Sequence, residues 1–245
     1  MRITRRAYTK MDKDFEIIHN SCDVTGSTCG SSIGLGKHKS LQQQYKDKKN
    51  SRVGIKKEIT PYTQSILDYG KHNEIRGIRM LNYFQPVEIN DEFFYLPLYA
   101  NGKLEYDKRY GATPDGLIGL DCIVEVKCPV TKEIYKEIGD GYLPLDHFCQ
   151  VQMELACTLR SVGVYVCWTP VETSFVYLRF HNEAWFDIFY RMQYFSYCLN
   201  CEEDVDLKFA KGEKSDLEEK FKVFAKQSII EIYSIKALDN KPFWI

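Results

Sequence analysis

A tight turn followed by a charged pair inside an apolar strand constrains this chain more than any other stretch. Residues 113–129 read TPDGLIGLDCIVEVKCP. Pro114, Asp115 and Gly116 have the chemistry of a turn at a strand end. The β-branched run that follows predicts a strand over 121–128. Strand side chains alternate between faces, so Glu125 and Lys127 project together while Val124, Val126 and Cys128 project the other way. Apolar flanks on both faces describe a central strand, where charge costs free energy unless something there uses it. A solvated Glu–Lys pair on a surface strand is the plainer alternative. The apolar flanks, and an aspartate placed at a strand end where sites are commonly built, argue against it.

A short connection at "IGLD" brings the Asp115 turn beside the strand that carries Glu125. Two carboxylates in one small volume repel and raise each other's pKa. A divalent cation resolves the conflict. Mg²⁺ takes one or two carboxylates, a backbone carbonyl such as that of Val126, and several waters. Mn²⁺ can substitute for it. Such an ion polarises a phosphoryl oxygen and acidifies a bound water, and Lys127 can orient that water or stabilise the developing charge. The pattern therefore points to metal-assisted phosphodiester hydrolysis.

The surrounding pattern is α/β. Short helices are expected at 12–20 and 40–49, around a Gly- and Ser-rich loop or short helix. A longer helix is expected at 63–84, ended by Pro86. Strands are expected at 87–98, 110–118 and 121–128, a helix at 145–159, strands at 162–168 and 174–180, and helices at 182–200 and 214–232. This order suggests one central mixed β-sheet flanked by helices, in a single domain spanning 1–245 with its core at about 28–182. With 44% apolar residues the chain can bury a sizeable core.

Charge and cysteine usage narrow the setting. The net charge of −1 argues neither for nor against nucleic acid. Basic clusters at Arg2, Arg5, Arg6 and Lys10, and again over residues 46–57, can still grip a phosphate backbone. Nine cysteines, several in apolar runs, suit free thiols in a reducing compartment. Cys198 and Cys201 make half of a metal site, which Cys22 and Cys29 could complete across the fold. No run of about 18 apolar residues predicts a membrane span, and the N-terminus lacks the apolar core of a secretory signal. An intracellular protein is expected.

The sequence ATPDGLIGLDCIVEVKCP closely resembles the active-site hairpin of the phage lambda exonuclease family, the YqaJ-type viral recombinase nucleases, which belong to the PD-(D/E)XK group. GSSIGLGKHKS resembles the family's N-terminal Ser/Gly motif, YGKHNEIRGIRML its Gly-x-x-x-Glu helix, and QVQMELACTL its Gln-Val-Gln helix. All four occur in family order across about residues 28–160.

The resemblance implies a restriction-endonuclease-like PD-(D/E)XK core. It implies metal binding by Asp115 and Glu125, catalysis by Lys127, and a metal-bound water held by Glu74 from the long helix. Thr113, Ser31 and Ser32 would meet a 5′-phosphate. Gln150 is preferred to Gln152 for the site, because it shares a helix face with His147 and Glu154, and positions two apart on a helix diverge by about 200°. The family's phosphate-binding arginine has no counterpart in NSCDVTGSTCG, so Lys37, Lys39 or an N-terminal arginine would substitute. His38 and His147 are further candidate DNA contacts, although a lone histidine is more often structural.

The implied activity is a Mg²⁺-dependent 5′→3′ exodeoxyribonuclease on double-stranded DNA ends, acting in recombination or repair. A single-strand annealing protein is a natural partner, and a ring-shaped trimer a natural assembly. If the chain is viral, it works in the cytoplasm or nucleus of an infected cell. Two alternatives stay open. One is an endonuclease or a Cas4-like nuclease with an iron–sulfur cluster. The other is an inactive nuclease fold kept for DNA binding, against which the intact Asp, Glu and Lys speak.

Overall fold

Residues 122–127 form a strand in the interior of a sheet, as their double-sided apolar pattern requires. The computed structural model describes residues 8–9, 15–55, 58–100, 102–201 and 211–238. In chain order the elements begin with β1 (Tyr8–Thr9), α1 (Phe15–Ser21), β2 (Val24–Thr25), a 3-10 turn (Gly26–Thr28), α2 (Cys29–Ser32), α3 (Leu41–Arg52) and α4 (Pro61–Asn82). Next come β3 (Glu88–Ile89), β4 (Glu92–Ala100), β5 (Lys103–Ala112), β6 (Gly116–Ile118), β7 (Cys122–Lys127), α5 (Lys136–Gly139) and α6 (Leu145–Thr158). The last are β8 (Val162–Trp168), β9 (Glu172–Arg179), α7 (Asn182–Cys201), α8 (Lys211–Ser228) and β10 (Ile229–Lys236).

Six strands order as β10-β9-β8-β7-β6-β3, and four as β1-β4-β5-β2. In the larger sheet β7 and β8 run parallel, which requires the crossover through α6, and the other neighbours run antiparallel. The β6–β7 hairpin pairs Gly116 with Val124 and Ile118 with Cys122. It turns at Gly119, whose φ of 54° suits a residue without a Cβ.

Both faces of β7 are covered. Ile123 joins the larger core with Val151 and Leu155 of α6 and Phe221 of α8. Val124 and Val126 face the other way and join Ile78, Leu81, Val166 and Trp168 beneath α4. Thr60 starts α4 by accepting the Thr63 N–H at 3.2 Å, and Pro61 fits its first turn.

α4 can lie this close to β7 because residue 77 is glycine. A Cβ there would sit 2.5 Å from Cγ1 of Val126. Gly77→Ala is therefore expected to lower stability by about 1–3 kcal/mol through overpacking. A reduced urea midpoint with an unchanged slope checks this, and an unchanged midpoint contradicts the close packing.

The structure corrects several expected elements. The single strand expected over 87–98 is two, β3 and β4, broken at Asn90 and Asp91 and assigned to different sheets. The strand expected over 110–118 also divides. β5 begins at Lys103 and ends at Ala112, Pro114 interrupts the ladder, and β6 resumes in the other sheet. The helix expected over 214–232 ends at Ser228. Ile229, Ile232, Tyr233 and Ile235 favour a strand and pair along β9. One expected sheet is thus two, while the architecture stays α/β, with a central mixed sheet flanked by helices. Among the described residues no helix is long and apolar enough to cross a membrane.

Candidate active site

Period-two alternation sends Glu125 and Lys127 off the same face of β7, at its C-terminal end. The turn after β5 brings Asp115 to the same place. Its N–H donates to the Val124 carbonyl and its carbonyl accepts the Asn90 N–H, both at 3.0 Å. Asn90 is buried and also donates Nδ2 to the Pro114 carbonyl at 2.8 Å, so this amide clamps the turn. Oδ2 of Asp115 accepts the Val126 N–H at 2.8 Å. The N–H and C=O of one strand residue point to the same side, so the Val126 carbonyl faces the edge where Asp115 sits.

Oε1 of Glu125 accepts from Lys127 Nζ and from Gln150 Nε2, each at 2.6 Å. Oε2 of Glu125 is buried with no partner. These groups line a cavity of about 260 Å³ together with Glu74 and Thr113. His19, Thr25, Gly26, Ser27 and Phe93 also line it.

Burial pushes Glu125 well above the ordinary carboxylate range; Asp115 and Glu154 add to this, and Lys127 opposes it. Burial also works against the Lys127 ammonium, but Glu125 and Asp115 outweigh it and raise its pKa. Glu154 is completely buried, and burial pushes it up to about 8. Three acidic side chains thus crowd one ammonium, and a divalent cation would let them ionise together.

Among the described residues no three His, Cys, Asp or Glu side chains gather so as to hold an ion by themselves. The protein could instead supply Asp115, Glu125 and the Val126 carbonyl, with waters completing the shell. That sparse oxygen set suits Mg²⁺. The orphaned Oε2 of Glu125 fits such a ligand, since a buried carboxylate oxygen without a partner is otherwise costly.

On α6 the two glutamines face apart. Gln152 donates to the Arg179 carbonyl at 3.1 Å and accepts the His181 N–H at 2.8 Å, away from the cavity. Gln150 turns inward, and one turn later so does Glu154. The short β2 pairs with β5 at Tyr110 and Gly111, which delivers Thr25, Gly26 and Ser27 to the cavity wall. Thr25 Oγ1 lies 3.0 Å from Thr28 Oγ1 and 3.4 Å from Ser27 Oγ. Thr113 Oγ1 is buried without a partner.

Other expected site residues lie elsewhere. Ser31 Oγ donates to the Thr28 carbonyl at 3.0 Å, and Ser32 lines a separate cavity with Leu41, Tyr190 and Tyr194. Lys37 pairs with Glu137 at 2.8 Å and Lys39 with Asp47 at 2.9 Å. None of these four lines the Asp115 cavity. His147 is 2.8 Å from the Tyr165 hydroxyl, and His38 is exposed. All nine cysteines are free; Cys198 is buried and Cys201 exposed. Arg2, Arg5, Arg6 and Lys10 lie outside the described residues.

Thr25, Ser27, Asn90 and Glu154 were not foreseen as site residues. The signal for Thr25 and Ser27 was present as a second cluster of small hydroxyl residues in the same loop, and only the pairing of β2 with β5 separates it from Ser31 and Ser32.

The YqaJ-like viral recombinase domain matches residues 14–161, a span that contains all of these cavity-lining groups. No curated protein sequence matches the chain. Among solved structures, the chain is similar to an alkaline exonuclease, LHK-Exo, from Laribacter hongkongensis, with 20% identity and a TM-score of 0.59 over 81% of this chain and 96% of that one. It is similar to LHK-Exo in complex with dAMP at 19% identity and a TM-score of 0.61, over 82% of this chain and 97% of that one. These likenesses bear on the fold, which is of the expected PD-(D/E)XK type. With the domain matched over more than half of its 245 residues, the chain belongs to the YqaJ-like viral recombinase domain family.

Proposed function

We propose that this protein is a metal-dependent exodeoxyribonuclease that degrades duplex DNA ends in the 5′→3′ direction during recombination. Family membership and a shared fold with an alkaline exonuclease support nuclease work. The observation that carries the reading is the convergence of Asp115, Glu125 and Lys127 on one cavity, with a buried Glu125 oxygen left unpartnered.

Asp115, Glu125 and the Val126 carbonyl would hold the cation. When bound, Mg²⁺ or Mn²⁺ polarises the scissile phosphate and lowers the pKa of an attached water. Lys127 stabilises charge on the phosphoryl oxygens and orients the attacking water, held in place by Glu125. Glu74, which also lines the cavity, would hold a further water. The hydroxyls of Thr113, Thr25 and Ser27 line the same cavity and suit the terminal 5′-phosphate of the cut strand. Ser31, Ser32, Lys37 and Lys39 would act on DNA only beyond this cavity. The product, a 3′ single strand, fits a single-strand annealing protein as partner, and a trimeric ring fits processive digestion.

The iron–sulfur alternative has no comparable support. Cys198 points into the core from α7, and among the described residues no cysteine cluster gathers. The purified protein is expected to be colourless.

A linear duplex labelled at either end tests the reading, with Mg²⁺ or EDTA and with or without a 5′-phosphate. Loss of the 5′ label first, only with metal and faster with the phosphate, is the expected result. Nicking of closed circular DNA, or loss of the 3′ label first, overturns the proposed polarity and end requirement.

A further inference from the structure

Glu154 is a carboxylate that packing does not call for. It has no solvent exposure, stands one turn after Gln150 on a helix that is otherwise almost wholly buried, and adds a third acidic group beside Asp115 and Glu125. One of its oxygens is buried with no N–H donor, and the carboxyl group lies within hydrogen-bonding reach of Glu125. Such a group costs free energy that a leucine or methionine would not.

Its other oxygen has a definite partner. Gln150 Nε2 donates to Glu154 Oε1 at 2.9 Å and to Glu125 Oε1 at 2.6 Å, so the two hydrogens of one amide serve two carboxylates. The last torsion of a glutamine is broad and has little preference of its own. One hydrogen bond would leave the amide free to turn about that contact. Two bonds fix its plane, and with it the direction of the carbonyl Oε1, which lies antiparallel to one of the two N–H bonds. Among the described residues no group donates to that Oε1, and Gln150 lines the cavity.

We infer that Glu154 is a positioning residue. It locks the Gln150 amide so that its carbonyl accepts a hydrogen from the water that attacks phosphorus. Lys127, Glu125, Gln150 and Glu154 then form one hydrogen-bonded chain, and its interior member Gln150 offers its carbonyl to the reacting water. This assignment rests on the nuclease reading and adds to it a role for a residue outside the Asp, Glu, Lys set.

The test compares kcat and KM on a linear duplex at saturating Mg²⁺, so that metal affinity does not enter. E154M is expected to lower kcat about 10- to 100-fold, the range typical of residues that orient a catalytic group, with KM little changed. E154Q is expected to recover most of kcat, because its own amide carbonyl can accept the Gln150 hydrogen. The double variant Q150M/E154M is expected to be no slower than Q150M. Wild-type kcat in E154M, equal damage in E154Q and E154M, or multiplying effects in the double variant would each overturn the role.

A readout on the wild type applies even if E154M fails to fold. Both side-chain amide hydrogens of Gln150, identified by their absence in Q150M, should exchange slowly with solvent; fast exchange overturns the lock. Wild-type protein that hydrolyses no DNA sinks the nuclease reading itself, whereas active wild type with an indifferent E154M sinks only the role of Glu154.

Discussion

Lys127→Ala is expected to slow hydrolysis of linear duplex DNA by about 10³-fold, the scale set by loss of an electrostatic or proton-handling group from a preorganised site. The Lys127 ammonium lies 2.6 Å from Glu125 and is the cation drawn against three carboxylates. Its removal leaves Glu125 beside only uncharged partners, the Gln150 amide and the Glu154 carboxyl group, so the carboxylate is no longer held charged. Arginine is a poor substitute, because a planar guanidinium does not fit where a compact point charge sits. Circular dichroism checks that the variant is folded, and a gel assay over a long time course measures the residual rate. Hydrolysis at the wild-type rate by a folded Lys127→Ala protein would end the proposed mechanism whatever the substrate.

The second large effect joins metal, pH and stability. Glu154 sits at about 8 in the fold against an ordinary value of 4.5, and Glu125 is raised for the same reason, burial. Between those two pH values the folded protein keeps a proton that the unfolded chain has released. Stability then falls as pH rises through that window, because the folded state binds more protons than the unfolded one. Metal-free protein is therefore expected to melt lower at pH 8 than at pH 5.5.

On the proposed reading Mg²⁺ would supply the missing positive charge and bind the folded state alone. At about 100 times its Kd it adds about 2.7 kcal/mol, which corresponds to a rise of about 5–10 °C for a domain of this size. The rise should be larger at pH 8 than at pH 5.5, because the raised carboxyl groups hold fewer protons there for the ion to displace. Asp115→Asn removes a ligand and should abolish most of it. Melting curves with and without Mg²⁺ at both pH values, for wild type and Asp115→Asn, measure all three. A Mg²⁺ shift that Asp115→Asn leaves intact would mean that the ion binds elsewhere.

The legible parts of this molecule were those in which one period decides. Alternation along CIVEVK separates Glu125 and Lys127 from Val124 and Val126, and the strand does hold them so. The turn of a helix separates Gln150 from Gln152, and their partners lie on opposite sides. Other features depend on contacts that no local pattern encodes. Thr25 and Ser27 differ from Ser31 and Ser32 only because β2 pairs with β5. β10 follows a charged helical run without a Gly or Pro to mark the change, and the edge of β9 decides its state. Pro114 was legible as part of a turn, but not as the point where the chain passes from one sheet to the other. Asn90 clamps the Asp115 turn from 24 residues away, and a lone buried amide leaves no sequence signal.

The most direct measurement of the central claim is the anomalous scattering of Mn²⁺ in a crystal of the wild-type protein. A peak about 2.1 Å from a carboxylate oxygen of Asp115, from Oε2 of Glu125 and from the Val126 carbonyl, the spacing of a small hard cation, is the predicted result. A peak away from these three oxygens, or none at a Mn²⁺ concentration that supports DNA hydrolysis, would contradict it.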